Sequence, residues 1–260
     1  MSPVRSHAST MRHDTQPLFT ALPAVLSEAF PRTRPETLTA LTSVATVHTF
    51  RPNQAIVTQG EDAALAMALD GYVALRRTTP DGRQLIVRIV HRGRLSTMLP
   101  LASRPADAVA LTETSVAMWS GDEVRALAES DAGLAVELLD QVLVALEEVT
   151  ARLEGMLYQD ALRRVARVLH QHSDLFFSDA PVLTRRHLPM LVGTSREMTG
   201  RVIRILESSG VVLRVGRYFR LLDPEGLAAA AEPDDADAQS VDGGPQFGSA
   251  GGERREAREA

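Results

Sequence analysis

The chain contains no cysteine and no lysine, few aromatic residues and no long apolar run. Without cysteine it cannot form disulfides, hold a cysteine-ligated iron–sulfur cluster, ligate haem through a thiolate or sense redox state through a thiol. Its apolar runs are only a few residues long, which excludes a transmembrane helix. The polar N-terminus has no stretch like a signal peptide, so we expect a cytoplasmic protein without a membrane partner.

The 260 residues are 44% hydrophobic and carry a formal charge of −5, which is typical of a soluble protein of two small domains. The charge is unevenly distributed. From Glu232 to Ala260 there are eight acidic residues and three arginines, whereas Thr184 to Leu222 holds eight arginines and two glutamates. A basic module on a near-neutral body predicts a polyanionic partner.

Between Val47 and Trp119 short apolar or alternating runs, such as "LAMALDG" and "QLIVRIV", are separated by turn signals. The "PDG" at Pro80–Gly82 predicts a hairpin turn between two of them. Many short strands with glycine-containing turns favour a small antiparallel barrel or jelly roll. We place this domain at residues 17–120, after a polar, aperiodic segment 1–16 that we expect to be disordered.

No proline interrupts the chain from Asp122 to about Tyr158, and apolar residues recur there at steps of three and four. This pattern predicts one long helix, residues 121–158, with a single apolar stripe. The stripe could pack on its own barrel. We favour a homodimer of two such helices side by side, because a small barrel cannot cover such a length. The predicted dimer interface consists of Leu138, Val142, Ala145, Val149, Leu153 and Met156.

The segment "LTRRHLPMLVGTSREMTGRVIRILESSG" predicts two helices joined by a turn at Gly193, which is the layout of a helix-turn-helix. Thr184 and Ser195 are the expected N-caps. Pro189 falls inside the first helix, where it would remove a hydrogen bond and could bend the helix. Two short strands around Val215-Gly216 would form a wing. The residues of the second helix predicted to point inward are Met198, Val202, Ile205 and Leu206.

The opposite face of the second helix carries Arg196, Glu197 and Arg201. Arginine can donate two hydrogen bonds to guanine, and a carboxylate can accept one from cytosine, so this face could read bases in a major groove. A solvated face with intrahelical ion pairs is the alternative. The predicted DNA-binding residues are Arg196, Glu197, Arg201, Thr194, Ser195, Gly200, Arg204, Thr184, Arg185 and Arg217, and the wing residues Arg214 and Arg220 are also placed near phosphates.

This segment, with its "GTSRE..GR" core, resembles the C-terminal winged helix of the Crp/Fnr superfamily of bacterial transcription regulators, in a version close to the cyclic-AMP receptor branch. "FRPNQAIVTQGEDA" and "ALDGYVAL" resemble the entry to that family's cyclic-nucleotide-binding-like β-roll. The long helix resembles its dimerisation helix. The resemblance covers about Pro17 to Ala230.

The resemblance implies an α+β fold: an N-terminal antiparallel β-roll, a dimerisation helix and a C-terminal winged helix-turn-helix at residues 159–230. We expect a disordered acidic tail at residues 231–260 to follow. It further implies that Arg196, Glu197 and Arg201 read double-stranded DNA at an inverted repeat with TGTGA-like arms. The implied partners are a second copy of the chain and RNA polymerase.

Cyclic-nucleotide-binding members of the family hold the ribose and the cyclic phosphate with a Gly-Glu pair and a later Arg-Ser pair. The corresponding stretch here, "GRLSTMLPLASRPADAVAL", has Thr97-Met98 and Ala106-Asp107 at these places. The ribose carboxylate is missing and an acid occupies the phosphate site, so we predict that cyclic AMP is not the effector, although an arginine could substitute. The candidate effector-pocket residues are Arg94, Thr97, Met98, Arg104 and Asp107.

The effector is therefore unknown, and the protein could also act without one. A cyclic dinucleotide and haem remain alternatives. The candidate haem ligands are His48, His91, His170 and His172. A cupin-type barrel enzyme is a further alternative, but it needs several histidines converging in the barrel, and the strands hold only two of them. We predict no catalytic residues, no metal and no cofactor.

Overall fold

The computed structural model of the protein describes residues 16–57, 64–97 and 106–232. The segments predicted to be disordered, 1–16 and 231–260, lie outside these ranges except at their inner ends, where Gln16 begins one helix and Ala231 ends another. The helices are α1 (Gln16–Ala29), α2 (Pro35–Val44), α3 (Gly121–Ser130), α4 (Ala132–Tyr158), α5 (Ala161–Gln171), α6 (Ser173–Phe177), α7 (His187–Val192), α8 (Arg196–Ser208) and α9 (Pro224–Ala231). The strands are β1 (Thr46–Phe50), β2 (Ala55–Val57), β3 (Ala64–Asp70), β4 (Val73–Thr78), β5 (Gln84–Val90), β6 (Leu95–Thr97), β7 (Asp107–Ala110), β8 (Thr114–Ser120), β9 (Val212–Val215) and β10 (Tyr218–Leu221).

Strands β1 to β8 form two antiparallel four-stranded sheets, with the orders β1-β8-β3-β6 and β2-β7-β4-β5. Only β4 and β5 are neighbours both in the sheet and in sequence, so the chain passes repeatedly from one sheet to the other. This arrangement confirms the predicted β-roll. The "PDG" turn joins β4 to β5 as predicted, with Gly82 at a φ of +79° and its N–H donating to the Thr79 carbonyl at 2.8 Å.

Trp119, the single tryptophan of the chain, lies in the core between one sheet and the N-terminal helices. It is 2% exposed, and its indole N–H donates to the Leu41 carbonyl at 2.8 Å. Leu22 and Leu26 of α1 are fully buried in the same cluster. The sequence analysis did not predict α1, which contains Pro23 in its interior, where proline usually ends or kinks a helix.

The segment 121–158 forms two helices, which corrects the prediction of one. Helix α3 ends at Ser130, and Asp131 caps the start of α4 by accepting the Gly133 N–H at 2.9 Å. The pKa of Asp131 is lowered to about 2, chiefly because its carboxylate also accepts the backbone N–H of Arg34. The contact with Arg34, which is distant in sequence, fixes the break, and apolar spacing alone does not reveal it.

The predicted dimer stripe of α4 is divided between the interior and the surface. Leu138 and Ala145 are 5% and 8% exposed, so they pack within the chain and are not free to meet a partner. This corrects the prediction for these two residues: Leu138 joins the core of the roll, and Ala145 is covered within the chain. Of the other four residues, Val142 and Met156 are half-buried, whereas Val149 and Leu153 are exposed.

A second set of apolar side chains on α4, which shares only Leu153 with the predicted stripe, is 40% to 67% exposed. Its members follow one another at alternating steps of three and four residues, with Thr150 at the one position in the series that is not apolar. This spacing is that of the a and d positions of a coiled coil. We call this set the α4 stripe, and it comprises Val136, Leu139, Leu143, Leu146, Leu153 and Leu157.

The C-terminal part packs α5 to α9 and the β9–β10 hairpin around one apolar cluster. Phe176, Leu188 and Leu169 are fully buried at its centre. The cluster also includes Ala74 and Ile86 of the roll, so the two parts of the molecule share a continuous core. Within the part of the chain that the structure describes, no helix is long and apolar enough to cross a membrane.

Candidate nucleic-acid interface

Helix α7 and the turn after it set the position of the candidate interface. The helix begins only at His187, so Pro189 lies in its first turn, where a backbone N–H has no intrahelical partner. The proline therefore removes no helical hydrogen bond. Gly193 ends the helix at a φ of +72°, a conformation that favours glycine, and a Cβ there would lie 2.6 Å from Met156 Cε of α4.

Thr184 does not cap α7, which corrects that prediction. The residue before the helix is Arg186, and it makes no capping bond through its side chain. Thr184 instead donates its backbone N–H to Nδ1 of His187 at 3.0 Å. His187 is 5% exposed, and burial, followed by the charge of Arg186, lowers its pKa to about 4.

Helix α8 begins as predicted, with Ser195 accepting the Met198 N–H at 3.0 Å as its N-cap. Thr194 precedes it in the turn, and its N–H donates to the Pro189 carbonyl at 3.2 Å. The inward face differs from the prediction: Ile205 is 51% exposed, and the buried residues are Thr199, Val202, Ile203 and Leu206. Helical spacing predicts Ile205 because it lies seven residues after Met198, whereas Ile203 is the residue that joins the C-terminal apolar cluster.

The first turns of α8 present Arg196, Glu197 and Arg201 to solvent. The Arg201 guanidinium donates to the Glu197 carboxylate at 2.8 Å, an exposed pair one helical turn apart. The pair holds both side chains along the same side of the helix. Gly200 lies between them, and a Cβ there would meet nothing within 4 Å. Arg204 follows one turn later and is also exposed.

The β9–β10 hairpin forms the predicted wing next to α8. Arg185 connects the helices to the wing, since its backbone N–H donates to the Arg217 carbonyl at 2.9 Å and its guanidinium donates to the Gly216 carbonyl at 3.1 Å. The Arg217 guanidinium lies 4.8 Å from the centre of the Tyr218 ring. Arg220 is exposed on β10.

Arg214 has a structural partner that the sequence analysis did not identify. Its side chain donates to Glu207 of α8 at 2.7 Å, and its backbone N–H donates to the same carboxylate at 3.0 Å. The bond from the Arg214 side chain lowers the pKa of Glu207. Arg214 therefore ties the wing to the helix, and its charge is already balanced by Glu207.

A cleft of about 1000 Å³ separates this surface from the roll. Arg196 and Arg217 line it from one side, and Asn53 and Glu113 line it from the other. At one end of the cleft the Arg186 guanidinium donates to Asn53 Oδ1 at 2.6 Å. The roll and the winged helix therefore also meet through polar contacts.

Arg152 of α4 joins the two parts of the molecule from the other side. Its guanidinium donates to the carbonyls of Ile86 and Val87 in β5, the latter at 3.1 Å. It also donates to the carbonyls of Met190, at 3.4 Å, and Leu191 in α7. Burial lowers the pKa of Arg152. The sequence analysis did not identify this residue, which lines a cavity of about 430 Å³ between α4, α5 and β5.

The effector region is only partly described by the structure. Met98 and Arg104 lie outside the described residues, and Thr97 is described only as the end of β6. Arg94 is half-buried just before β6. Asp107 at the start of β7 is half-buried, and its carboxylate lies 3.5 Å from the Arg76 guanidinium. The predicted effector pocket therefore stays a prediction, since only Arg94 and Asp107 of its five residues have described side chains.

The candidate haem ligands lie on three different parts of the fold. His48 lies on β1, His91 follows β5, and His170 and His172 lie at the end of α5. Within residues 16–57, 64–97 and 106–232, no three histidine, aspartate or glutamate side chains are grouped so that they could hold a metal ion.

Comparison with known proteins matches both parts of the chain to known domains. The cyclic nucleotide-binding domain family matches residues 47–131, and the Crp-like helix-turn-helix domain family matches residues 163–230. The chain is 30% identical over 154 residues to the cyclic AMP receptor protein of Thermus thermophilus, which covers 57% of this chain and 70% of that protein. It is 29% identical over 161 residues to the cAMP-activated global transcriptional regulator Vfr of Pseudomonas aeruginosa, which covers 57% of this chain and 75% of that protein.

Solved structures share the fold. FixK2 from Bradyrhizobium japonicum has a TM-score of 0.64 at 21% identity, covering 73% of this chain and 98% of its own. The c-di-GMP responsive global regulator CLP of Xanthomonas campestris has a TM-score of 0.62 at 21% identity, covering 72% of this chain and 99% of its own.

Proposed function

Because the chain belongs to the Crp/Fnr family of transcription regulators, we propose that it binds DNA as a homodimer at an inverted repeat with TGTGA-like arms. DNA-binding transcription regulation is the function common to the family. The dimer, the DNA site and the effector are the finer features proposed for this chain. We further propose that it works in the cytoplasm with RNA polymerase as a partner.

The exposed Arg196, Glu197 and Arg201 at the start of α8 are the observation that carries the proposal. Helix-turn-helix proteins reach base edges with the N-terminal residues of the second helix. Two arginines and a glutamate there can pair with guanine and cytosine, as a TGTGA-like arm requires. The other predicted DNA-binding residues would surround these three, and the exposed arginines among them would meet phosphates. These residues are Thr194, Ser195, Gly200, Arg204, Thr184, Arg185 and Arg217.

The α4 stripe supports the homodimer. Six large apolar side chains in heptad spacing, each at least 40% exposed, would be an unusual surface for a monomer. A second copy of the same helix would cover it by coiled-coil packing. A two-fold symmetric dimer would then present two recognition helices to two half-sites, which accounts for an inverted repeat.

Asp107 supports DNA binding that does not depend on cyclic AMP. The Thermus thermophilus and Pseudomonas aeruginosa relatives are named for cyclic AMP. In this chain an acid stands where the resemblance implies the phosphate-binding pair, and it lies beside Arg76. A carboxylate at that position would repel a cyclic phosphate. A cyclic dinucleotide is the alternative effector, since CLP is named as responsive to c-di-GMP.

The test is selection of bound sequences from random duplex DNA by the purified full chain, without effector. We expect an inverted repeat with TGTGA-like arms, and added cyclic AMP should leave its affinity unchanged. Arg201→Ala should weaken binding to the selected site by about 1–3 kcal/mol. Arg125→Ala is the matched control, because it removes the same charge from an exposed position on α3. Equal binding by both variants would rule out Arg201 as a base reader.

A further inference from the structure

The carboxylates of the described residues neutralise only some of the arginines on α8 and the wing. Glu197 pairs with Arg201, and Glu207 pairs with Arg214. Within residues 16–57, 64–97 and 106–232, no carboxylate forms an ion pair with Arg196, Arg204 or Arg217. We call these three exposed residues and Arg201 the arginine face. An exposed face of this kind attracts any accessible polyanion.

The same chain contains an acidic segment that follows the last described helix, α9. Residues 233–252 include Asp234, Asp235, Asp237 and Asp242 and no basic residue. The eight residues after them contain three glutamates and three arginines, so the negative charge is concentrated in 233–252. We call residues 233–252 the acidic segment.

The described fold places the start of the acidic segment within reach of the arginine face. In the first turn of α9, a Cβ on Gly226 would lie 3.2 Å from Val211 Cγ2, at the base of the wing. From Gly226 the helix rises only about 7.5 Å to its end at Ala231. A 20-residue segment spans up to about 65 Å when extended, and the recognition helix is only about 20 Å long. Length therefore permits contact along the whole of α8.

We propose that the acidic segment docks on the arginine face of its own protein and competes with DNA for it. This rests on the proposed function, because the face must be the one that binds DNA. Its four carboxylates would form exposed pairs, each weak and screened by salt. Tethering gives the segment a local concentration in the millimolar range, so even weak docking lowers DNA affinity several-fold. Competition of this kind weakens binding to all DNA sequences by the same factor.

The experiment measures binding of the full chain to a labelled random-sequence duplex by fluorescence anisotropy. The test variant carries D234N, D235N, D237N and D242N, and the control variant carries D234E, D235E, D237E and D242E. At about 50 mM salt the Asn variant should bind about three- to tenfold more tightly than the parent, and at about 300 mM salt the difference should fall below about twofold. The Glu variant should bind like the parent.

When the parent binds DNA, two results of this assay would overturn the proposal: an Asn variant that binds no more tightly than the parent at low salt, or a Glu variant that gains as much affinity as the Asn variant. A labelled peptide of residues 233–252 provides a readout without DNA, and it should bind the Asn variant with salt-sensitive affinity that R196A and R204A together reduce. If none of the chains binds duplex DNA but the peptide binds, docking stands and the proposed function fails. If DNA binds and the peptide does not, only the docking proposal fails.

Discussion

Replacing Arg152 with methionine should weaken the connection between the roll and the winged helix. Methionine keeps most of the apolar stem but removes the guanidinium that donates to four carbonyls, in β5 and in α7. A hydrogen bond from a charged donor contributes about 1.5–3 kcal/mol, and part of this is offset because the buried charge no longer has to be desolvated. We therefore expect Arg152→Met to lower the free energy of unfolding by about 2–4 kcal/mol.

Urea denaturation of the full chain, followed by far-UV circular dichroism, measures this loss. The matched control is Arg167→Met. Arg167 lines the same cavity and forms no hydrogen bond or ion pair within the described ranges of the chain. The control should change stability by less than about 0.5 kcal/mol. If the two variants lose equal stability, the reasoning about the Arg152 bonds is refuted.

Two further predictions concern the α4 stripe and His187. Leu146→Asp puts a charge in the middle of the stripe and should weaken self-association at least about tenfold, which sedimentation equilibrium would detect; an unchanged dimer mass would contradict the coiled-coil arrangement. His187 has a folded-state pKa of about 4, below its ordinary value, so folding favours its neutral form. Its stabilising contribution is complete above about pH 6.5 and is lost as the pH falls toward 4, by about 2 kcal/mol between pH 7 and pH 5. In His187→Gln, the free energy of unfolding measured by urea titration should lose this part of its dependence on pH. Identical pH profiles for parent and variant would disprove the contribution of His187.

The sequence predicts the parts of the fold that local chemistry determines. Ser195 caps α8 and Gly193 ends α7, because a hydroxyl at an N-cap and a glycine at positive φ satisfy needs of the neighbouring backbone. The roll is predictable for a similar reason, since turn residues separate strands whose apolar pattern is short and regular. The face of α8 that carries Arg196 and Arg201 follows from helical spacing.

The features that the sequence analysis missed depend on partners distant in the chain. Arg152 donates to carbonyls of residues 66 and 38 positions away, and no local pattern marks such a contact. The choice between the two apolar faces of α4 depends on which one the roll covers, and Leu138 is buried for that reason. The break at Asp131 likewise requires Arg34 of another element. Spacing identifies an apolar face, but only tertiary packing decides what covers it.

The burial of Trp119 in the roll gives the molecule a fluorescent reporter confined to one of its halves. The winged helix contains no tryptophan, so emission excited near the red edge of the absorption band follows the unfolding of the roll alone, whereas helical circular dichroism follows both halves. The shared core that includes Ala74 and Ile86 should make the two signals change together in one cooperative transition. Any separation between the two unfolding curves would then report the population of molecules in which the winged helix is unfolded while the roll remains folded.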